Sequence, residues 1–152
     1  MTRLHYWLHA QTQYNLHSPF LFEMYREVLF ARLTPEERRQ HGIPSGDRYH
    51  ELIYKCCNHY HLEIATASQL ASAHSSPKLG EVPQGGGGVC PTLLTSGQFS
   101  ILIVDRPHAT PEAEQQWEHL KADPDYQVSL DLYDLALLIR TPPLTPQHLL
   151  LR

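Results

Sequence analysis

Asp105 and His108 are the residues whose types and positions best suit chemistry. Asp105 ends the apolar run Ile101–Val104, and His108 follows three positions later. A carboxylate and an imidazole can exchange protons or bind a polar ligand, and α/β proteins place ligands at the carboxyl ends of parallel strands, which we expect here. The sequence nevertheless favours a simpler interpretation, in which Asp105 caps the following loop and His108 is a partly exposed turn residue.

A second group combines thiols with imidazoles: Cys56, Cys57, His59 and His61. Zinc takes such ligands, but the spacing is not C-x-x-C, and adjacent cysteines on a helix cannot easily meet His59 at one ion. The sequence therefore predicts no metal site and a helix end with one buried cysteine. With Cys90 the chain has three cysteines, an odd count that favours reduced thiols over a disulfide framework.

Four consecutive glycines, Gly85–Gly88, resemble a phosphate-binding loop only superficially. Such loops need defined spacing and a lysine or a helix start directly afterwards, and the following Val89-Cys90-Pro91 provides neither. We interpret the glycines as part of a Gly/Pro/Ser-rich loop over residues 75–98.

The helices that position these residues are marked by their first residues. Ser18-Pro19, Thr34-Pro35 and Thr110-Pro111 each place a capping hydroxyl before a proline, which suits the first turn because proline needs no donor there. Apolar periodicity supports two further helices. The predicted helices cover residues 4–16, 19–32, 35–42, 49–60 and 110–122.

The strands are predicted from apolar runs and from alternation. Ile101–Val104 is continuously apolar, which is typical of a strand covered on both faces. Residues 126–132 alternate and are followed by a second apolar run, 135–139, so that the pair predicts a β-hairpin. A short strand is expected over 62–66 with a helical turn over 67–74, and Leu149–Leu151 is expected to pack as an apolar tail.

Composition excludes several classes of protein. The 152 residues suit a single domain, 1–152, and carry a formal net charge of −4, which argues against nucleic-acid binding because that needs a cationic surface. No apolar run is long enough to span a bilayer, and the first residues lack the apolar segment of a signal peptide. We therefore expect a cytoplasmic protein with no nucleic-acid or membrane partner.

Both ends of the sequence resemble a bacterial family of class I S-adenosylmethionine-dependent methyltransferases. His17-Ser18-Pro19-Phe20 resembles that family's HSPF segment, and residues 105–108 resemble its D-D-I-H segment, with Arg106 in place of the second aspartate. Residues 114–122 resemble its E-x-x-W-x-x-(I/L)-K-A helix. The stretches 128–132 and 137–140 resemble its terminal hairpin, and 149–152 its closing segment.

The resemblance implies an α/β fold with a reduced Rossmann-like sheet. In that arrangement, residues 1–60 form N-terminal helices and 62–74 a degenerate first strand–helix unit. The loop 75–98 then leads to a strand, a helix and a C-terminal antiparallel β-hairpin over 99–152. Only the residues 69–100 separate the two candidate strands, which leaves room for one crossover where the family has three.

The centre departs from the family's pattern at a glycine turn. Where the family has L-E-L-G-T-S, this chain has Leu62 to Ser68 with Ala65 at the glycine position. A Cβ there obstructs a close approach of the backbone to the cofactor. The residues that the resemblance assigns to cofactor binding, as vestiges, are Glu63, Ala65, Thr66, Asp105 and His108.

These observations predict a non-catalytic remnant that needs no cofactor and acts through protein contacts. Lost central strands expose sheet edges and apolar faces, which favour a homodimer or another protein partner. The alternative is a small S-adenosylmethionine-dependent methyltransferase with an abbreviated pocket near Glu63, Thr66 and Asp105. A third hypothesis is a metal-binding module that uses the histidines.

Overall fold

The computed structural model describes residues 1–12, 16–65, 91–141 and 144–152. Within these ranges the protein is a mixed α/β fold with five α-helices and a six-stranded sheet. The helices are α1 (Arg3–His9), α2 (Pro19–Glu23), α3 (Pro35–Gln40), α4 (Arg48–Tyr60) and α5 (Pro111–Lys121), and α2 runs directly into a π-helical segment, Met24–Leu29.

Local capping explains where the helices begin. The hydroxyl of Ser18 accepts the Leu21 N–H at 3.4 Å, and that of Thr110 accepts the Ala113 N–H at 3.1 Å. Thr34 begins α3 in a reciprocal capping box with its third helical residue. These are the hydrogen bonds that the proline-containing starts predict. The helices predicted over 19–32, 35–42, 49–60 and 110–122 are confirmed, whereas the one predicted over 4–16 ends at His9.

The sheet has the strand order β1-β2-β3-β5-β4-β6. Every neighbouring pair is antiparallel except β4 and β6, which are parallel. The C-terminal hairpin is confirmed, and the predicted apolar tail contributes the edge strand β6. The strands are β1 (Glu63–Ile64), β2 (Thr92–Ser96), β3 (Phe99–Asp105), β4 (Val128–Asp131), β5 (Leu135–Arg140) and β6 (Gln147–Leu150).

Two expectations are wrong, one about the segment before β3 and one about the direction of β3 in the sheet. The sequence predicts a loop over 75–98, but residues 92–96 form β2, which pairs with β3 through a tight turn at Gly97. Gly97 has φ +60°, a conformation that glycine adopts without a Cβ penalty. The sequence also predicts that β3 is parallel to its neighbours, yet it is antiparallel to both β2 and β5.

Apolar side chains cover both faces of the sheet. One face packs against α2, the π-helical segment and α4, and the other packs against α5 through the fully buried Trp117. Successive residues of β3 alternate between these two layers: Ile101 and Ile103 face the first, and Leu102 and Val104 the second. The prediction of a strand buried on both faces is therefore confirmed.

Several predicted features lie outside the described residues. They are the helical turn 67–74, the glycines Gly85–Gly88, Thr66 and Cys90. In the part of the chain that the structure describes, no helix combines the length and the apolar character needed to cross a membrane.

Candidate functional site

Asp105 and His108 lie in the same loop but in different surroundings. Asp105 is partly exposed, with its carboxylate 3.3 Å from the Arg106 guanidinium, and lines an open cavity of about 470 Å³. The His108 side chain is only 1% exposed. His108 is a turn residue of intermediate exposure, as the sequence predicts, but the exposed part is backbone, because the imidazole is inserted beneath the β4–β5 connection.

A buried carboxylate, Asp131, holds that imidazole in place. His108 Nε2 lies 2.7 Å from Asp131 Oδ2, and the Trp117 indole N–H donates to the same oxygen at 3.1 Å. The other oxygen accepts the backbone N–H of Tyr133 at 2.8 Å. We call these four residues the Asp131 cluster. Each carboxylate oxygen has a donor, so that the buried charge is compensated within the fold.

The surroundings of the Asp131 cluster close it further. The Tyr133 ring stacks on His108 with centroids 5.4 Å apart, and Glu114 Oε1 lies 3.4 Å from His108 Nδ1. The ammonium of Met1 contacts Glu114 and, with His108, holds the pKa of its carboxyl below the usual range. The imidazole is thus enclosed by protein atoms on all its polar edges.

Two strained turns join the Asp131 cluster to the Asp105 cavity. Arg106 has φ 47° and Tyr133 has φ 68°, values that are uncommon for residues with a side chain. The Arg106 N–H donates to the Asp134 carbonyl at 2.9 Å, which ties the two turns together. The Asp131 cluster therefore stabilises the conformation of the loop after β3 and of the turn between β4 and β5.

The predicted cofactor residues do not converge. Glu63 pairs with Thr95, which in turn pairs with Ser100 at the start of β3. Asp105 lies five residues further along that strand, a distance of about 17 Å for extended chain. Ala65 donates its N–H to Leu93 at 2.9 Å and is buried among the core residues that face α5. These described residues therefore do not fit an S-adenosylmethionine site.

The thiols and imidazoles of α4 are likewise separated. Cys56 is fully buried, which raises the pKa of its thiol to about 12, and burial also raises the pKa of Cys57. A neutral thiol is neither a good nucleophile nor a metal ligand. His59 Nε2 lies 3.0 Å from a Glu23 carboxylate oxygen, and His61 ends the helix in a left-handed conformation. Among the described residues, no three potential metal-binding side chains come together.

A second buried carboxylate, Glu51, lies on α4 at the wall of another cavity. It forms an ion pair with Arg38 of α3, accepts the backbone N–H of Leu33 at 3.2 Å and lies 3.6 Å from Lys55 Nζ. Lys55 also donates to the Ala31 carbonyl at 2.7 Å. We call Glu51, Arg38 and Lys55 the Glu51 cluster. All three line a cavity of about 440 Å³.

Sequence reasoning missed Asp131 and the Glu51 cluster. Asp131 looks like the outward residue of an alternating strand, yet it is 2% exposed because α5 and the loop after β3 cover that face. Glu51 and Lys55 have the four-residue spacing of an ion pair on a helix, which is a signal that could have been found. Arg38 joins them from α3, 13 positions before Glu51 in the sequence, through the ion pair with Glu51.

No family model matches the sequence, and no curated protein and no solved structure is significantly similar to it. The methyltransferase resemblance therefore stays a prediction. What the structure adds is the geometry of two buried carboxylates, one enclosed and one beside a cavity.

Proposed function

We propose that this chain is a non-catalytic, cytoplasmic protein-interaction module, built on a reduced Rossmann-like, methyltransferase-like domain, that binds a partner protein through α1. The observation that carries the proposal is the outer face of this helix. Leu4, Trp7 and Leu8 are 69%, 59% and 64% exposed. Their i, i+3, i+4 spacing places them on one face, as in helices that dock into apolar grooves.

The opposite face of α1 fixes the helix to the sheet. Tyr6 and Ala10 are buried, and the Tyr6 hydroxyl donates to the backbone carbonyls of Asp131 and Leu151. Burial, together with nearby Asp131, raises the pKa of Tyr6, which keeps this hydroxyl a donor. The exposed apolar face is therefore held in one orientation, and a partner would meet little ordering cost on binding it.

Charges around the exposed face select the kind of partner. The Arg152 guanidinium lies 4.9 Å from the centre of the Trp7 ring, and the exposed Arg3, His5 and His9 belong to the same helix, which carries no carboxylate. An apolar groove with an acidic rim complements this arrangement. Two copies of α1 would bring the cationic side chains of Arg3 and Arg152 near their own copies, which disfavours self-association through this helix.

The geometry near Asp105 and His108 supports a module without catalysis. His108 is enclosed in the Asp131 cluster, where no substrate reaches its ring nitrogens. Glu63 and Ala65 do not meet Asp105 in one pocket, and we expect no cofactor. The proposal therefore assigns to the domain the role of presenting α1 to a partner, and not a chemical role.

Leu8→Glu is the variant that tests the proposal, with Ile64→Glu as its matched control. Ile64 is 60% exposed on β1, at the opposite edge of the sheet, so that the same type of substitution is made on an equally exposed aliphatic residue. Proteins that co-purify with the wild-type chain but not with Leu8→Glu are identified and purified, and their affinities are measured by calorimetry. We expect Leu8→Glu to weaken binding about tenfold or more and Ile64→Glu to leave it unchanged.

Three outcomes contradict the proposal. If the pure chain dimerises in sedimentation experiments and Leu8→Glu abolishes the dimer, the occupant of α1 is a second copy. If no complex distinguishes Leu8→Glu from Ile64→Glu, α1 is not an interaction surface. If S-adenosylmethionine binds the wild-type chain in calorimetry with micromolar affinity, the alternative of a small methyltransferase replaces the proposal.

A further inference from the structure

The cavity beside Glu51 is unusual in its charge. Four cationic side chains and one carboxylate line it, although the chain as a whole has a net charge of −4. The cations come from three segments: Arg32 follows the π-helical segment, Arg38 belongs to α3, and Arg48 and Lys55 belong to α4. The fold therefore gathers positive charge that the sequence does not cluster.

The single carboxylate does not neutralise these cations. Glu51 is engaged by Arg38 and Lys55. Arg32 and Arg48, both exposed, make no side-chain hydrogen bond or ion pair with the residues that the structure describes. Burial lowers the pKa of Lys55, and the nearby Arg48 lowers it further, against the opposing effect of Glu51. An anion in the cavity would offset this excess of positive charge.

The remaining wall of the cavity is apolar. Its other side chains include Leu29, Phe30, Leu52, Leu132 and Leu135. Its volume of about 440 Å³ exceeds the space that a bare phosphate needs and falls in the range of small-molecule sites. A ligand that fills it would carry an anionic group toward the arginines and an apolar group toward the leucines.

We propose that this cavity binds a small organic phosphate. Arginine presents a planar fork of N–H donors that matches phosphate oxygens, and Arg32 and Arg48, which have no side-chain partner among the described residues, provide such forks here. Arg38 and Lys55, oriented by Glu51, supply further positive charge deeper in the cavity. The apolar wall contacts the organic portion and makes an organic phosphate a better ligand than the inorganic ion.

The experiment uses three probes with the intact chain: inorganic phosphate, phenyl phosphate and citrate, each titrated by calorimetry against sodium chloride at matched ionic strength. We expect phenyl phosphate to bind most tightly, since it alone has both the phosphate and an apolar group. Arg48→Gln and Arg32→Gln should each weaken phenyl phosphate binding about tenfold. Both should fold normally, because both side chains are exposed and neither forms a hydrogen bond or ion pair within the part of the chain that the structure describes.

Arg39→Gln is the matched control. Arg39 is exposed on α3, pairs with Glu36 at 2.8 Å and does not line the cavity, so that its removal changes the net charge equally. The proposal fails if Arg39→Gln weakens binding as much as Arg48→Gln, because a diffuse surface charge would then explain the affinity. It also fails if no probe exceeds sodium chloride, if citrate equals phenyl phosphate, or if inorganic phosphate does.

The test is independent of the interaction surface on α1. Leu8→Glu should leave phenyl phosphate affinity unchanged, and Arg48→Gln should leave partner binding unchanged. Loss of one property without the other therefore identifies which of the two proposals is wrong.

Discussion

Asp131 and Glu51 are both buried carboxylates, 2% and 5% exposed, but their donors differ in kind. Asp131 accepts from an indole, an imidazole and a backbone N–H, all enclosed between the sheet, α5 and the loop after β3. Glu51 is held by an arginine and a lysine that also line a cavity. In the first cluster the carboxylate is the only permanent charge, and in the second the cations outnumber it.

The difference separates a cluster enclosed by the fold from one beside a cavity, where we propose that an anion binds. Buried charge is tolerated where the fold supplies its hydrogen-bond donors, as it does for both oxygens of Asp131, and such a cluster stabilises one geometry. The Glu51 cluster, in contrast, leaves cationic charge beside a cavity, and this charge favours the binding of an anion there. Asp105 and His108 are the residues that the sequence singles out. Of these two, only His108 belongs to the Asp131 cluster, and neither belongs to the Glu51 cluster.

The largest effect is expected from Asp131→Asn. The amide has one acceptor oxygen for the donors of His108, Trp117 and Tyr133, and its NH₂ group would face one of them. We expect the free energy of unfolding to fall by about 3–4 kcal/mol, measured by urea denaturation monitored by circular dichroism. Asp134→Asn is the control, since Asp134 is half-exposed and pairs with the exposed Arg3 at 3.4 Å; a comparable loss there would contradict the assignment to burial.

Glu51→Gln should cost less stability and improve ligand binding. Arg38 and Lys55 lose a charged partner but can turn toward water in the cavity, so that we expect a loss of about 2 kcal/mol. The cavity then holds uncompensated cations, and phenyl phosphate should bind several-fold more tightly by calorimetry. No such gain is expected for Glu36→Gln on the exposed side of α3. Weaker binding by Glu51→Gln would mean that Glu51 orients the cations more than it competes for them.

Much of the fold could be predicted because its signals are local. The hydroxyl–proline starts at Ser18, Thr34 and Thr110 each depend on a few consecutive residues, and the apolar run of β3 needs no partner to be recognised. β2 was not predictable in this way. Its Thr-Leu-Leu-Thr-Ser sequence becomes a strand by pairing with β3 on one side and β1 on the other, and the direction of β3 relative to its neighbours depends on the same pairing.

The candidate sites depend almost entirely on tertiary packing. Asp131 is buried because α5 carries Trp117 and the loop carries His108 to the same point. The excess charge of the second cavity arises because Arg32, after the π-helical segment, and Arg38 of α3 line the same cavity as Arg48 and Lys55 of α4. Only the four-residue spacing of Glu51 and Lys55 is visible in the sequence, and that spacing by itself indicates an ordinary helical ion pair.

Trp117→Phe removes the indole N–H donor from the Asp131 cluster while keeping an aromatic ring in the core. The loss of the indole hydrogen bond to Asp131, at 3.1 Å, and of some buried volume should lower the free energy of unfolding by about 1 kcal/mol or slightly more. The control is Trp7→Phe, because Trp7 is exposed on α1 and its replacement should leave urea denaturation unchanged. Equal effects of the two substitutions would show that the buried hydrogen bond contributes little.

Lys55→Met removes the ammonium donor from the Glu51 cluster. Of these four substitutions it should change the free energy of unfolding least, by less than about 1 kcal/mol. Methionine keeps the apolar stem, and Glu51 retains Arg38 and the Leu33 N–H as donors. Phenyl phosphate affinity should nevertheless fall, whereas Lys121→Met on α5, on the other side of the sheet, should not change it. If Lys55→Met greatly lowers stability but leaves phenyl phosphate affinity unchanged, the role of Lys55 is structural, like that of the residues in the Asp131 cluster.

The effect of Lys55→Met on the free energy of unfolding should depend on pH. Burial, assisted by Arg48 and opposed by Glu51, places the pKa of Lys55 in the folded chain below its ordinary value of 10.5. Between the lowered pKa and 10.5 the unfolded chain binds more protons at this residue than the folded chain, so that the contribution of Lys55 to stability rises with pH. Urea denaturation at increasing alkaline pH should therefore show the wild-type chain gaining stability relative to Lys55→Met. The charged form of Lys55 therefore lowers stability in this pH range, and bound phenyl phosphate should reduce the pH dependence by stabilising the cation.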